Sequence, residues 1–220
     1  MHYPFRQPKI LSFGDYNAGK LGLDKTEGQT EEPMIVDSMH DPVVEICSVE
    51  NYTIMVDDSG KLWKTGEKET MGGKDTSFRA VDIAKVAADD KDRKPEEEKD
   101  KIVKIGAGIN NVVFLTKKGK IYIEGNDNGN HIKDGSAKHN FESKKLPSDD
   151  DKVIDLSVGR DYHLIVTEKG KLYGAGNNFL KENLNIECGI NYANIPLEKG
   201  ALAKRVWCTQ TDKDTNVAFV

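Results

Sequence analysis

One pattern of twenty-one residues occurs three times in this chain without a gap. It runs from Ile46 to Gly66, from Ile105 to Gly125 and from Leu156 to Gly176. In each copy an apolar segment with a period of two is followed by a short polar turn and a second apolar segment that ends at glycine. A period of two over β-branched and aromatic residues predicts a strand, so each copy predicts a β-hairpin. A repeat of this length constrains the fold more strongly than any single motif does.

Each predicted turn contains a glycine, which adopts positive φ without steric cost. The turns are Asp58-Ser59-Gly60, Lys117-Lys118-Gly119 and Glu168-Lys169-Gly170. The three glycines are 59 and 51 residues apart. Periods near fifty suit a four-stranded unit better than a helical repeat, which usually spans about 30 to 47 residues. The spacing therefore predicts an all-β fold made of β-propeller blades.

The predicted strands form three whole units, with a partial unit at each end of the chain. In chain order they are 9–14 and 33–36, then 43–46, 52–56, 61–65 and 79–83, then 102–105, 111–116, 120–124 and 143–146, then 153–156, 162–167, 171–175 and 193–197, and finally 204–207 and 216–220. The two partial units either complete one composite blade or pair with further sequence, because an open apolar edge aggregates. We expect residues 1–220 to form one propeller domain, or a propeller fragment, of about four blades.

The segment 87–101 is the part of the chain that a propeller does not require. Acidic and basic residues surround Pro95 there, and the run from Asp89 to Asp100 contains no apolar residue. This composition is typical of a solvated insertion, which we expect to be mobile. The alternative is a docking segment for a partner.

Charge and hydropathy exclude several classes of protein. A net charge of −5 and a pI of about 5.6 give no electrostatic footprint for nucleic acid, and basic residues along the sequence are interleaved with acids. No window approaches eighteen consecutive apolar residues, and the first residues lack the apolar run of a signal peptide. We therefore expect an intracellular protein, cytoplasmic or nuclear, that binds neither membranes nor nucleic acid directly.

The three cysteines, Cys47, Cys188 and Cys208, are odd in number and match no metal-binding spacing. We expect reduced cysteines, with Cys47 and Cys208 packed in strands. A metal or disulfide role is the alternative.

Candidate chemical groups are few. His163 has Asp161 two residues away, but the repeat places no serine or cysteine nucleophile beside them, so we expect a structural or surface histidine. The loop from Gly125 to Gly135 also resembles a metal site only superficially, because its spacing does not match a calcium loop and its Asn and Asp residues favour turns. The residues considered as metal ligands are Asp127, His131, Asp134 and His139.

Glycines and tryptophans also have simpler structural explanations. Gly14, Gly19 and Gly22 follow a strand, but no helix pattern and no Gly-Lys-Ser/Thr motif follows, so a phosphate cradle is not predicted. Trp63 and Trp207 are expected to pack in the core or on a sheet face. We predict no catalytic, cofactor-binding or metal-binding residues, and no enzymatic activity.

The repeats resemble those of the regulator of chromosome condensation family. The matching features are a glycine before the second strand, a Thr-x-x-Gly turn, the glycine that follows a tryptophan in the family, and a Gly-Gln-Leu-Gly signature that has Lys in place of Gln here. They are found at Gly108 and Gly159, at Thr116 with Gly119 and Thr167 with Gly170, at Gly14, Gly66, Gly125 and Gly176, and at Gly19-Lys20-Leu21-Gly22. The resemblance covers residues 9 to 220 and implies a β-propeller, with about four blades here instead of the usual seven.

This resemblance, together with the rigid loops of a propeller, favours a non-catalytic scaffold that binds another protein, as a subunit of a larger assembly. The protein partner is unidentified, and a second copy or another chain could complete the ring. The alternative implied by the founding branch of the family is guanine-nucleotide exchange on a Ran-like small GTPase. Two tryptophans are too few for the clustered-tryptophan light sensing of another branch. A module of a ubiquitin-ligase or ciliary assembly is a third reading.

Overall fold

The computed structural model describes residues 9–68, 73–81, 100–108, 111–125, 142–144, 146, 151–160, 162–176, 185–186, 191–208 and 217–219. Their regular structure consists of antiparallel strands and one short 3-10 turn, Asn17–Gly19. The predicted all-β class is confirmed. No helix among these residues is long and apolar enough to cross a membrane. The chain divides into two compact units, Met1–Val81 and Asp82–Val220.

The first unit contains a two-stranded sheet and a four-stranded sheet. The two-stranded sheet pairs β1 (Leu11–Asp15) with β2 (Gln29–Ile35). The four-stranded sheet, blade one, has its strands in chain order: β3 (Val43–Ser48), β4 (Tyr52–Asp57), β5 (Leu62–Lys68) and β6 (Gly73–Val81).

The second unit repeats this pattern with two four-stranded sheets and a pair. Blade two consists of β7 (Ile102–Ala107), β8 (Asn111–Thr116), β9 (Ile121–Gly125) and β10 (Glu142–Lys144). Blade three consists of β11 (Val153–Val158), β12 (Tyr162–Thr167), β13 (Leu172–Gly176) and β14 (Ala193–Ile195). The pair joins β15 (Val206–Cys208) to β16 (Val217–Phe219). A meander of four antiparallel strands is the blade of a β-propeller, so the predicted fold class is confirmed.

Three expectations about domain organisation stay predictions. The pairs β1–β2 and β15–β16 are separate two-stranded sheets among the described strands, so the composite blade is not tested. The single domain over residues 1–220 and the count of about four blades also stay predictions. Most of the charged insertion at 87–101 lies outside the described residues.

The three hairpin turns have the same hydrogen bonds. In each turn the glycine N–H donates to the carbonyl of the residue three positions earlier, at 2.8 to 2.9 Å. The glycine has positive φ, at 84° for Gly60, 82° for Gly119 and 74° for Gly170. The side chain of the residue that opens each turn also accepts a hydrogen bond from the backbone N–H of the lysine after the glycine. The acceptor and donor pairs are Asp57 and Lys61, Thr116 and Lys120, and Thr167 and Lys171. The repeated pattern, Asp-x-x-Gly in the first turn and Thr-x-x-Gly in the other two, therefore encodes a turn held by both a main-chain and a side-chain hydrogen bond.

The faces of the blades pack through apolar side chains. In the second unit, one cluster joins β8 and β9 of blade two to β11, β12 and β13 of blade three, and a second joins blade three to β15. In the first unit, Met55 and Phe78 of blade one pack with Val36 and Met39. Successive blades of the second unit thus share a continuous core, which holds their loops in fixed positions.

We expect Gly119→Ala to destabilise the protein more than Gly200→Ala. Both glycines have similar positive φ, 82° and 86°, so both substitutions cost about 1 kcal/mol or more in the backbone. A Cβ at Gly119 would also lie 2.2 Å from Lys152 Cγ and 3.1 Å from the Val153 carbonyl oxygen, whereas a Cβ at Gly200 meets nothing within 4 Å. This crowding adds roughly 1 kcal/mol or more. Urea unfolding measures both variants, and equal losses would contradict the packing of this turn.

Asp57 makes the stability of the first unit depend on pH. Burial of this carboxyl raises its pKa, but hydrogen bonds from Ser59, Trp63 and Lys61 outweigh burial and hold the pKa below its ordinary value. A lowered folded-state pKa contributes stability above the ordinary aspartate value of about 3.9, and this contribution is lost as the pH falls.

We expect Asp57→Asn to be less stable than the unmodified protein at neutral pH, because asparagine lacks the charge that these donors stabilise. The difference in unfolding free energy should shrink as the pH falls below about 4. Urea unfolding at a series of pH values tests this. A difference that is constant from neutral to acidic pH would contradict the assignment.

Candidate protein-interaction surface

The first strand of each blade contains a β-bulge at the same place. The pairing register shifts between Val43 and Glu45 in β3, between Ile102 and Lys104 in β7, and between Val153 and Asp155 in β11. A bulge adds one unpaired residue to a strand and redirects its side chain. The added residues are Val44, Val103 and Ile154, and their exposed fractions are 53%, 42% and 43%. At its bulge, each blade therefore presents a β-branched apolar side chain to solvent.

These bulges are not expected from the sequence when the first strands are taken as regular strands. A signal was present at the start of each strand, where two adjacent apolar residues precede a charged residue: Val-Val-Glu, Ile-Val-Lys and Val-Ile-Asp. A strand with a period of two does not place two neighbouring apolar residues on one buried face. The second apolar residue in each triplet is the bulged one.

In the second unit, the hairpin turns and the segments that enter the first strands form one surface, which we name the turn face. It comprises residues 100–103, 117–120, 151–154, 168–171 and 201–205. Within blade two, the Lys117 N–H donates to the Lys101 carbonyl at 2.8 Å, and within blade three the Glu168 N–H donates to the Lys152 carbonyl at 2.7 Å. These bonds fasten each turn to the strand entry of its own blade.

Contacts between neighbouring blades extend the turn face. Gly119 of blade two lies directly against Lys152 of blade three. Gly170 of blade three lies against Leu202, and its carbonyl accepts the Ala203 N–H at 2.9 Å. Leu202 is 68% exposed, so the turn face carries a third exposed apolar side chain beside Val103 and Ile154. A fixed backbone with exposed apolar groups is suited to binding another protein.

Side chains of blade three satisfy the backbone of β15. One oxygen of the buried Asp155 carboxylate accepts the Val206 N–H at 2.9 Å, and Ser157 Oγ accepts the Cys208 N–H at 2.9 Å. The other oxygen of Asp155 pairs with the Lys104 ammonium of blade two. In all three contacts the partners are 51 residues apart. Asp155 therefore links the first strands of two blades to β15.

His163 lies inside blade three and is 1% exposed. Its Nε2 is 3.0 Å from the Tyr192 hydroxyl, and the two rings meet edge to face with centroids 5.3 Å apart. Burial raises the pKa of Tyr192 above its ordinary value. This geometry supports the expected structural role of His163. Asp161 lies outside the described residues.

The cysteines and tryptophans occupy strands. Cys47 and Cys208 are reduced cysteines and lie half-buried in β3 and β15. Burial raises the pKa of Cys208 to about 11, so this thiol is protonated at neutral pH. Trp63 donates its indole N–H to Asp57 at 2.9 Å, and Lys61 Nζ lies 4.3 Å from the centre of a Trp63 ring. Trp207 is 48% exposed and is therefore not a core residue.

The glycine loop of the first unit is fixed by close packing. Gly14, Gly19 and Gly22 all have positive φ. A Cβ at Gly19 would lie 2.5 Å from the Asp75 carbonyl oxygen, and one at Gly22 would lie 2.6 Å from the Phe78 ring. Thr65 Oγ1 also donates to the Gly19 carbonyl at 2.8 Å. Gly19 and Gly22 therefore serve a packed loop, whereas a Cβ at Gly14 would meet nothing within 4 Å.

Other candidates fall outside the described residues: Asp127, His131, Asp134, His139 and Cys188. Among the residues that the structure does describe, no three His, Cys, Asp or Glu side chains are grouped so as to hold a metal ion.

Comparison with known proteins finds relatives that align with about three quarters of this chain. The regulator of chromosome condensation of Mus musculus is 24% identical over 171 residues, which is 76% of this chain and 38% of that protein. The E3 ubiquitin-protein ligase HERC2 of Homo sapiens is 26% identical over 178 residues, which is 77% of this chain and 3% of that protein. The chain is therefore similar to proteins with regulator of chromosome condensation-like repeats. No family model matches it.

Solved structures confirm the propeller fold of this chain. Human WBSCR16 superimposes with a TM-score of 0.73 at 12% identity, covering 92% of this chain and 53% of that one. Yeast RCC1 (Prp20), in its complex with Kap60, superimposes with a TM-score of 0.65 at 16% identity, covering 92% of this chain and 49% of that one. The chain thus spans about half of these propellers and 38% of the mouse relative.

Removal of the Asp155 carboxylate tests the link between the first strands. Asp155→Ala leaves the buried Val206 N–H without its acceptor, and we expect a loss of about 2 kcal/mol in unfolding free energy. Asp155→Asn keeps an oxygen at this place and loses the charge opposite Lys104, so we expect a smaller loss, of about 1 kcal/mol. Urea unfolding compares the two variants. An asparagine variant as unstable as the alanine variant would show that the backbone bond contributes little.

Proposed function

We propose that this chain is a non-catalytic protein-protein interaction scaffold and works as a subunit of a larger intracellular assembly, cytoplasmic or nuclear. The observation that supports this most directly is the repeated bulge. Three separate repeats expose a β-branched side chain, Val44, Val103 or Ile154, at the same position of the first strand. A packed β-sheet gains nothing from exposing apolar groups, whereas a partner protein can bury them.

The rigidity of the turn face supports the same function. The turns that carry Gly119 and Gly170 are held by backbone hydrogen bonds and by direct contact with the next strand entry. A partner that binds such a surface does not have to order flexible loops, which reduces the entropic cost of association.

The relatives are compatible with binding of proteins. Yeast RCC1 (Prp20) is described in complex with Kap60, and a second structure concerns its binding properties to Gsp1p and histones. HERC2 is a ubiquitin-protein ligase in which the matching segment is 3% of the protein. A propeller segment within larger machinery is consistent with a scaffold. Nucleotide exchange on a Ran-like GTPase is the alternative that the test below separates.

Affinity capture with a matched pair of variants tests the scaffold. The test variant is Val103→Ser/Ile154→Ser, which removes two exposed apolar side chains from the turn face. The control is Leu11→Ser/Phe13→Ser, which removes exposed apolar side chains from β1 in the first unit. We expect the unmodified chain and the control to retain the same partner proteins, and the test variant to retain about tenfold less. Mass spectrometry of the captured proteins gives the ratio.

Equal retention by the test variant and the control would contradict binding at the turn face. A second measurement addresses exchange: a Ran-like GTPase loaded with a fluorescent guanine nucleotide is mixed with the chain. We expect the rate of nucleotide release to stay at its intrinsic value. Release that accelerates with the concentration of the chain would replace the scaffold with the exchange alternative.

A further inference from the structure

We infer that the turn face of the second unit binds an acidic segment of its protein partner, with apolar side chains of that segment packed on Val103, Ile154 and Leu202. The inference rests on the proposed scaffold function and specifies the chemistry of the partner. It is carried by the distribution of charge around those three apolar residues.

Exposed basic side chains come together on the turn face from four separate parts of the sequence. They are Lys117, Lys118, Lys152, Lys171, Lys204 and Arg205. Glu168 is the exposed acid within the same surface, and Glu198 lies just before it in the chain. The chain as a whole has a net charge of −5, so this basic face is a local reversal of the overall sign. Such a reversal favours association with an acidic partner.

Two further acids of the turn face are directed towards its own backbone. Asp100 and Asp151 are half-buried, and one oxygen of each accepts a turn N–H, from Lys118 at 3.0 Å and from Lys169 at 3.2 Å. Their carboxylates are thus tied to the turns, while the lysine side chains extend into solvent. The face presented to a partner is therefore basic.

At two positions of the turn face, the repeat does not require a basic residue. In blade one, the same turn has Asp58 where blade two has Lys117, and the strand entry has Pro42 where blades two and three have Lys101 and Lys152. The Asp58 N–H still donates to the Pro42 carbonyl at 2.9 Å, so the same hydrogen bond forms without lysine. Because the fold accepts other residues at these positions, the turn does not depend on Lys117 and Lys152, and both of these side chains are exposed.

The composition of the face favours a polypeptide over nucleic acid. Val103, Ile154 and Leu202 would gain no packing from a phosphate backbone, whereas apolar side chains of a peptide bury them. Lysine prevails over arginine on the face, although arginine is the residue that matches phosphate with two parallel hydrogen bonds. The net negative charge of the whole chain also opposes a long polyanion more than a short acidic segment.

Fluorescence anisotropy with a defined probe tests the inference on the full chain. The probe is a labelled peptide of alternating glutamate and leucine residues. Two comparison ligands are a labelled peptide of alternating lysine and leucine and a labelled double-stranded DNA oligonucleotide. We expect the glutamate peptide to bind more tightly than both comparison ligands, and its affinity to fall as salt increases.

Charge reversal locates the binding. In Lys118→Glu/Lys171→Glu/Lys204→Glu, three basic side chains of the turn face become acidic, and we expect the glutamate peptide to bind at least about tenfold more weakly. The control Lys9→Glu/Lys25→Glu/Lys74→Glu makes the same change of charge at exposed positions of the first unit. We expect the control to bind like the unmodified chain. Circular dichroism verifies that both variants fold.

Several outcomes would overturn the inference. Equal loss of binding in both triple variants would show that only net charge matters, and tighter binding of DNA than of the glutamate peptide would assign the face to nucleic acid. Absence of peptide binding to the unmodified chain would also reject an acidic segment. The scaffold itself fails separately, when Val103→Ser/Ile154→Ser captures the same partners as its control. The two ideas can therefore fail independently.

Discussion

The first strand of a blade has one edge that no neighbouring strand of its sheet covers, and its exposed backbone groups need other partners. In the second unit, side chains from the preceding blade supply them to β15. Asp155 and Ser157 accept the N–H groups of Val206 and Cys208, and Lys104 balances the charge of Asp155. The two partners in each of these contacts are one repeat apart in the sequence. The contacts therefore hold neighbouring repeats together.

This arrangement separates the residues that hold the fold from those that face solvent. Main-chain bonds and glycines fix the turns, as at Gly119 and Gly170, and apolar clusters fix the sheets. Positions such as Asp58 and Lys117 occupy equivalent places in their turns with opposite charge. The same frame can therefore carry different surfaces, which is why one propeller family can serve different partners.

The accuracy of the sequence prediction followed the amount of burial. The second strands, which are buried on both faces, were predicted closely: β8 and β12 have the expected bounds, 111–116 and 162–167. Two outer strands were predicted poorly, because β2 begins at Gln29 and β6 at Gly73, in polar sequence, whereas β10 and β14 lie close to the expected 143–146 and 193–197. An outer strand forms wherever its neighbour offers a ladder of hydrogen bonds, and its solvated face leaves little apolar pattern to detect.

The sequence by itself determined the hairpins, the glycine turns and the propeller fold, because these depend on local periodicity and on residues that recur at fixed places. The tertiary structure decided which residues share a surface. Lys118, Lys171 and Lys204 look interleaved with acids along the chain, yet the fold brings them to one face around Val103 and Ile154. Their proximity arises from contacts between blades, such as Gly119 against Lys152, which no short stretch of sequence contains.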